Sequence, residues 1–198
     1  MEWFFAVIMC GRSWIRFKMD RSKLEIQARK LATIAHHEAG HAVAAFHVGM
    51  EAKPIKFISG DETESHHIAT PYFSDEDLDN LVWEGVTGDL QKRIENDAFI
   101  SLVGPWAQKK YNPKGFRKTH AEGDYQAAMK LLSGVREDEE VLEHYVKMIN
   151  LEARNFVQDK FKWKIICHLA NALLNQPEMA ADEVRNAIMG GYRVNSQH

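Results

Sequence analysis

The chain has 198 residues and a net charge of −3, which allows one domain with a real core and leaves little room for a second enzyme. That charge and a sequence pI of about 6.4 exclude the basic face that nucleic acid requires. Cys10 and Cys167 are the only cysteines, a usage that fits a reducing, cytoplasmic setting better than a disulfide scaffold.

Trp3 to Cys10 is strongly apolar but well short of the roughly 20 residues a membrane span needs. With no basic residue ahead of it and no clear cleavage site after it, it also fits a signal peptide poorly. Residues 1–21 therefore read as an extension ahead of one domain at 22–198. The extension is either loosely attached, with Met19 as the true start, or an apolar arm that docks on a partner.

Ser22-Lys23-Leu24-Glu25 has the pattern of a capping box, in which the hydroxyl and the carboxylate satisfy free amides at a helix start. Leu24, Ala28, Leu31, Ile34, Ala35, Ala42, Ala45 and Phe46 then recur at helical spacing, and Gly49 stands where a left-handed cap would end the helix. Gly40 costs about 1 kcal/mol relative to Ala in a helix interior. Its presence implies that another backbone approaches closely there.

The second half of this helix carries His37-Glu38-Ala39-Gly40-His41. Positions 37 and 41 are separated by about 400° of turn and about 6 Å of rise, so both imidazoles leave one face. Two neutral imidazoles can take adjacent corners of a tetrahedral Zn²⁺ site, and the intervening Glu can reach a water at the open corner. That is the ligand-and-base arrangement of a zinc peptidase.

Pro54 to Ile58 reads as a short strand, Gly60-Asp61 as a turn, and Ile68 to Phe73 as a second strand whose Pro71 suits an edge. Such an edge can take an extended peptide as a further strand, or the two strands can be purely structural. His66 and His67 lie in the polar connection between the strands and read as solvated loop residues. Ser74 to Asp77 caps a helical stretch interrupted near Gly85 and Gly88, and the rest is mostly helical. Phe99, Leu102, Val103 and Trp106 make one stripe, which Gly104-Pro105 should kink or break. Asn112 to Gly115 is a loop. A helix with Tyr125, Ala128 and Leu131 follows and stops at Gly134. Val141, Tyr145, Met148, Ile149 and Phe156 mark a long helix with the acidic start Glu137 to Glu140. Ile165 to Leu173 marks another, and Pro177 opens a short last helix closing at Gly190-Gly191. The fold class is α+β and predominantly helical: a zincin-like active-site helix, a small β-sheet and a C-terminal helical bundle.

A catalytic zinc site usually takes three protein ligands, so His37 and His41 need a partner. Three residues compete. His47 matches the H-E-x-x-H-x-x-G-x-x-H spacing, but Ala44 replaces the glycine at which the chain must turn. Glu84 would complete a His₂Glu set. Asp124 lies in Thr119-His120-Ala121-Glu122-Gly123-Asp124-Tyr125-Gln126-Ala127-Ala128.

At this last segment the chain resembles the peptidase domain of FtsH-type zinc proteases, whose pattern is H-E-A-G-H-A followed far downstream by T-G-A-E-N-D-L-x-x-A. His37 to Ala42 matches the first block in full, and Thr119, Ala121, Glu122, Asp124 and Ala128 fall in register with the second. Ala172-Leu173-Leu174 and Asp182 to Arg185 are similar to the end of that domain. The resemblance implies Zn²⁺ on His37, His41 and Asp124, with Glu38 as catalytic base, and it places the family's edge strand, which lies along bound substrate, near Ile68, Ala69 and Thr70 as substrate-binding positions. Gly104-Pro105-Trp106-Ala107-Gln108-Lys109 stands where the family has G-R-A-A-E-E, so an acidic pair is replaced. Typical members also carry an ATPase module and membrane spans, and these 198 residues contain no G-x-x-x-x-G-K-[ST] loop and no span.

The expectation is a zinc-dependent, ATP-independent metallopeptidase that cleaves flexible or unfolded polypeptides. A homo-oligomer or a separate ATPase partner remains open. The alternative is a zinc-stabilised interaction module with the same fold and little or no catalysis.

Overall fold

A computed structural model of the chain describes residues 3–10, 13–56, 88–136 and 138–195. Strands β1 (Trp3–Cys10) and β2 (Ser13–Asp20) form an antiparallel hairpin, with Trp3 opposite Asp20 and Cys10 opposite Ser13. The segment read as an extension thus forms a hairpin that feeds directly into α1 (Arg21–His47). Because β2 ends at Asp20, α1 starts one residue before the expected cap. Ser22 falls inside its first turn, and Glu25 pairs with Arg21 at 3.1 Å. At the other end, Gly49 takes a φ of 83°, the Gly49 amide donates to the Phe46 carbonyl at 3.2 Å, and the Met50 amide donates to Ala45 at 3.0 Å. This is a Schellman stop, made where a residue without Cβ sits.

Strand β3 (Ile55–Lys56) pairs antiparallel with β4 (Glu178–Met179), Ile55 opposite Met179. A partner from the far end of the chain thus pairs with Ile55 and Lys56 of the first predicted strand, whose Phe57 and Ile58 lie outside the described residues. The second predicted strand, including Ile68, Ala69 and Thr70, lies outside the described residues, as do His66, His67 and Glu84.

Helix α2 (Gly88–Tyr111) is not broken at Gly104-Pro105: it runs through with Pro105 inside. A mid-helix proline forfeits one backbone hydrogen bond, at a cost of about 3 kcal/mol. Here Leu102, Val103, Gly104, Pro105 and Ala107 are all buried, and that burial holds the segment helical. A 3₁₀ turn (Lys118–Ala121) leads into α3 (Glu122–Ser133), capped at Gly134 as expected. Helix α4 (Glu139–Gln158) starts at Asp138, whose carboxylate accepts from the Val141 amide at 2.9 Å. Its buried face is Leu142, Val146, Ile149, Ala153, Phe156 and Val157, whereas Val141 and Met148 are exposed. Of the residues that mark this helix in the sequence, Ile149 and Phe156 belong to the buried face.

Asp159 alone separates α4 from α5 (Lys160–Asn175). Its amide caps α4 through the Asn155 carbonyl, and its carboxylate accepts from the Lys162 amide at 2.8 Å to open α5. Pro177 precedes β4 rather than a helix. Helix α6 (Ala181–Asn195) then runs on through Gly190 and Gly191. These glycines do not end it; they make room. A Cβ at Gly190 would come within 3.3 Å of the His168 ring, and one at Gly191 within 3.3 Å of Ile165.

Helix α1 packs mainly on α2 and α5, α2 also contacts α3 and α4, and α6 lies on α5. Ile165, Ile166, Leu169 and Leu173 of α5, with Ile94 and Val103 of α2, fill the centre. Ala35, Ala39, Gly40 and Val43 of α1 are all buried, and Gly40 meets Ala107 and Gly104 of α2. These small side chains bring α2 close enough to form the floor of the site described next.

Candidate metal centre

The first half of α1 is largely exposed and the second half is buried almost all round. Within that half, His37 and His41 project toward α3, whose first turn carries Asp124. His37 Nε2 and His41 Nε2 lie 3.0 Å apart. Asp124 Oδ2 lies 3.4 Å from His37 Nε2, and Oδ1 lies 3.5 Å from His41 Nε2. Tetrahedral bonds of about 2.0–2.1 Å put donor atoms about 3.3 Å apart, so this triangle has the size of one face of a zinc tetrahedron. Among the described residues, these three are the group able to hold a metal ion.

The protonation pattern fits the same role. The carbonyl oxygen of Ile100 accepts from His41 Nδ1 at 2.8 Å, and Gln108 Oε1 lies 3.0 Å from His37 Nδ1. A neutral imidazole has one N–H. With both protons held at Nδ1, the Nε2 lone pairs converge with a carboxylate, and a shared cation satisfies all three acceptors. Asp124 sits on the positive end of α3, where the helix dipole favours its charge.

Helix α2 shapes this pocket by what it lacks. A Cβ on Gly40 would lie 2.8 Å from Ala107 Cβ and 3.2 Å from Gly104 Cα, so the close approach implied by Gly40 is present. A Cβ on Gly104 would lie 2.3 Å from His41 Nε2. The His41 ring therefore rests on the bare backbone of Gly104. Glu38 is buried on the same helix, at 4% exposure.

Of the three competing third ligands, Asp124 meets the histidines and Glu84 lies outside the described residues. His47 is turned away: it is exposed at the end of α1 and packs on Phe156, 5.1 Å between ring centroids. Burial pulls its pKa below the usual histidine value, and the nearby Lys162 charge adds to the shift. His36, beside the motif, serves packing. It stacks on Tyr111 with ring centroids 3.8 Å apart and donates from Nδ1 to the Ala32 carbonyl. Burial lowers its pKa, offset in part by that hydrogen bond.

Sequence reasoning missed the supporting shell. Gln108 stood out only as a replaced acidic residue, and His120 only as part of the downstream block. Ile100 acts through its backbone carbonyl, for which no side-chain pattern gives a signal. Gly104 was read as a helix breaker; its contact with His41 depends on two helices crossing.

No family model and no curated protein matches the chain. Among the described residues, no helix is long and apolar enough to cross a membrane.

Proposed function

We propose that the chain is a zinc-dependent, ATP-independent peptidase of the FtsH-type kind, acting on flexible or unfolded polypeptides. The observation that carries this reading is the triangle of His37 Nε2, His41 Nε2 and Asp124, with edges of 3.0, 3.4 and 3.5 Å, raised on a helix that also holds Glu38. The resemblance of His37 to Ala42 and Thr119 to Ala128 to the family blocks supports it.

A zinc ion held there would act as a Lewis acid toward the scissile carbonyl and make a water in its open position more acidic. The protein supplies the remaining parts. His37 and His41 are oriented through Gln108 Oε1 and the Ile100 carbonyl. Asp124 would contribute one negative charge to a divalent ion held there, which would leave the site net positive. The Glu38 carboxylate takes a proton from the attacking water and returns it to the leaving amine nitrogen. Burial strengthens that exchange by keeping bulk water from the carboxylate.

The test is Glu38→Gln, an isosteric change that removes the base. Zinc should bind as in the natural chain, while cleavage of casein or a quenched peptide drops by at least about 100-fold, the lower end of what a positioned base contributes. Undiminished turnover in the variant overturns the assignment. A natural chain that binds zinc yet cleaves nothing favours the interaction-module reading instead.

A further inference from the structure

The two histidines are oriented by different kinds of partner. His41 Nδ1 faces a backbone carbonyl, which can only accept, so its tautomer is settled by that contact alone. His37 Nδ1 faces the side-chain amide of Gln108. An amide can turn over, presenting either its oxygen or its NH₂ group to the same neighbour. Turned over, Gln108 would donate to His37 Nδ1, place the ring proton on Nε2 and take away the lone pair that the metal needs. Something must hold the amide in one sense.

That hold is found on the other side of Gln108. Its Nε2 lies 3.2 Å from His120 Nδ1, and the backbone N–H of Arg117 donates to the same Nδ1 at 3.3 Å. A backbone N–H has no choice of role. It fixes His120 Nδ1 as an acceptor, so Gln108 must offer its NH₂ group there and its oxygen to His37. His37 then carries its proton on Nδ1 and directs the Nε2 lone pair at the cluster. Polarity thus passes from the Arg117 amide through His120 and Gln108 to the metal-facing nitrogen, across three side chains from α1, α2 and the 3₁₀ turn.

We infer that His120 is a positioning residue for the metal centre, fixing the tautomer of His37 through the orientation of the Gln108 amide. The inference rests on the metal-site reading above but concerns residues that the ligand set does not include. His120 is exposed, and its role is to present an acceptor where Gln108 needs one.

The experiment compares the natural full-length chain with His120→Ala and His120→Asn. In Asn, the Oδ1 atom stands at the same bond distance from Cβ as Nδ1 of His, and it accepts from both the Arg117 and the Gln108 N–H groups. Nitrogen-detected correlation spectra of metal-free protein at neutral pH report which ring nitrogen of His37 is protonated. Competition against a chromophoric chelator, with Zn²⁺ alone as probe, reports affinity. The expected result is the Nδ1–H tautomer of His37 in the natural chain and in His120→Asn, with zinc affinities within about threefold of each other. In His120→Ala the Nε2–H tautomer should appear, and affinity should fall about 10- to 100-fold, as when an outer-shell partner of a ligand is lost. An unchanged His37 tautomer in His120→Ala, with zinc bound as tightly as by the natural chain, overturns the inference while leaving the metal site intact. The expected tautomers in a chain that binds no zinc would support the relay and sink the metal-site reading.

Discussion

Gly104→Ala is the sharpest single test of the site, because the structure sets the size of its effect. The added Cβ would lie 2.3 Å from His41 Nε2, 2.4 Å from Cε1 and 2.8 Å from Cδ2, where ordinary contact begins at 3.4 Å. To relieve that overlap, the ring or the helix beneath it must move by about 1 Å, roughly five times the tolerance of a zinc–ligand bond. A ring displaced this far cannot keep both its zinc bond and its hydrogen bond to the Ile100 carbonyl. Outer-shell losses cost about 10- to 100-fold in metal affinity; displacing a ligand should cost at least the upper figure. Stability should change much less. Overpacking costs about 1–3 kcal/mol, and replacing a helical glycine by alanine returns about 1 kcal/mol. The net shift in Tm should therefore stay within about 8 °C. The assay is zinc competition against a chelator on metal-free protein, with circular dichroism to show that the fold persists. Gly123→Ala, where a Cβ meets nothing within 4 Å, serves as the control. Zinc binding by Gly104→Ala within threefold of the natural chain would refute the placement of His41 on the backbone of α2.

Asp124→Ala removes the one carboxylate of the cluster and should weaken zinc by at least about 100-fold, while α3 persists because its buried face is Ala128, Leu131 and Leu132. Zinc in excess should raise Tm in the natural chain by mass action, about 2.7 kcal/mol at a hundred times Kd, and excess chelator should reverse it. Absence of any such shift would count against a native metal site. Asp159→Ala removes the cap of α5 and should cost about 1 kcal/mol, a fall of roughly 2–4 °C in Tm for a domain of this size. Zinc affinity should not change, because Asp159 caps the α4–α5 junction and takes no part in the cluster.

Local features were legible in the sequence wherever the chain's own chemistry decides them. Gly49 ends α1 because a left-handed cap favours a residue without Cβ, and α3 stops at Gly134 as read, there with a right-handed backbone. The spacing of His37 and His41 on one face is a property of any α-helix. Other features turned on what packs against what. Gly190-Gly191 and Gly104-Pro105 carry the marks of helix breakers, yet both pairs lie inside helices, since burial against α5 and α1 outweighs their poor propensity. On α4, packing decided that Ile149 and Phe156 are buried while the equally apolar Val141 and Met148 are exposed.

The chain by itself determined that two imidazoles leave one face of α1 with Glu38 on the same helix, since residue identity and helical spacing are enough for that. Which third side chain meets the histidines was a choice among His47, Glu84 and Asp124 in the sequence, and tertiary structure brought Asp124 of α3 to the pair. Tertiary structure alone decided the rest: a bare patch of α2 backbone beneath His41, and a chain of hydrogen bonds from Arg117 that sets the direction of Gln108. The hydrogen bonds that tie His41 and His37 to α2 join residues 59 and 71 positions apart, and hydrogen-bond polarity at such separations is fixed only when the helices cross.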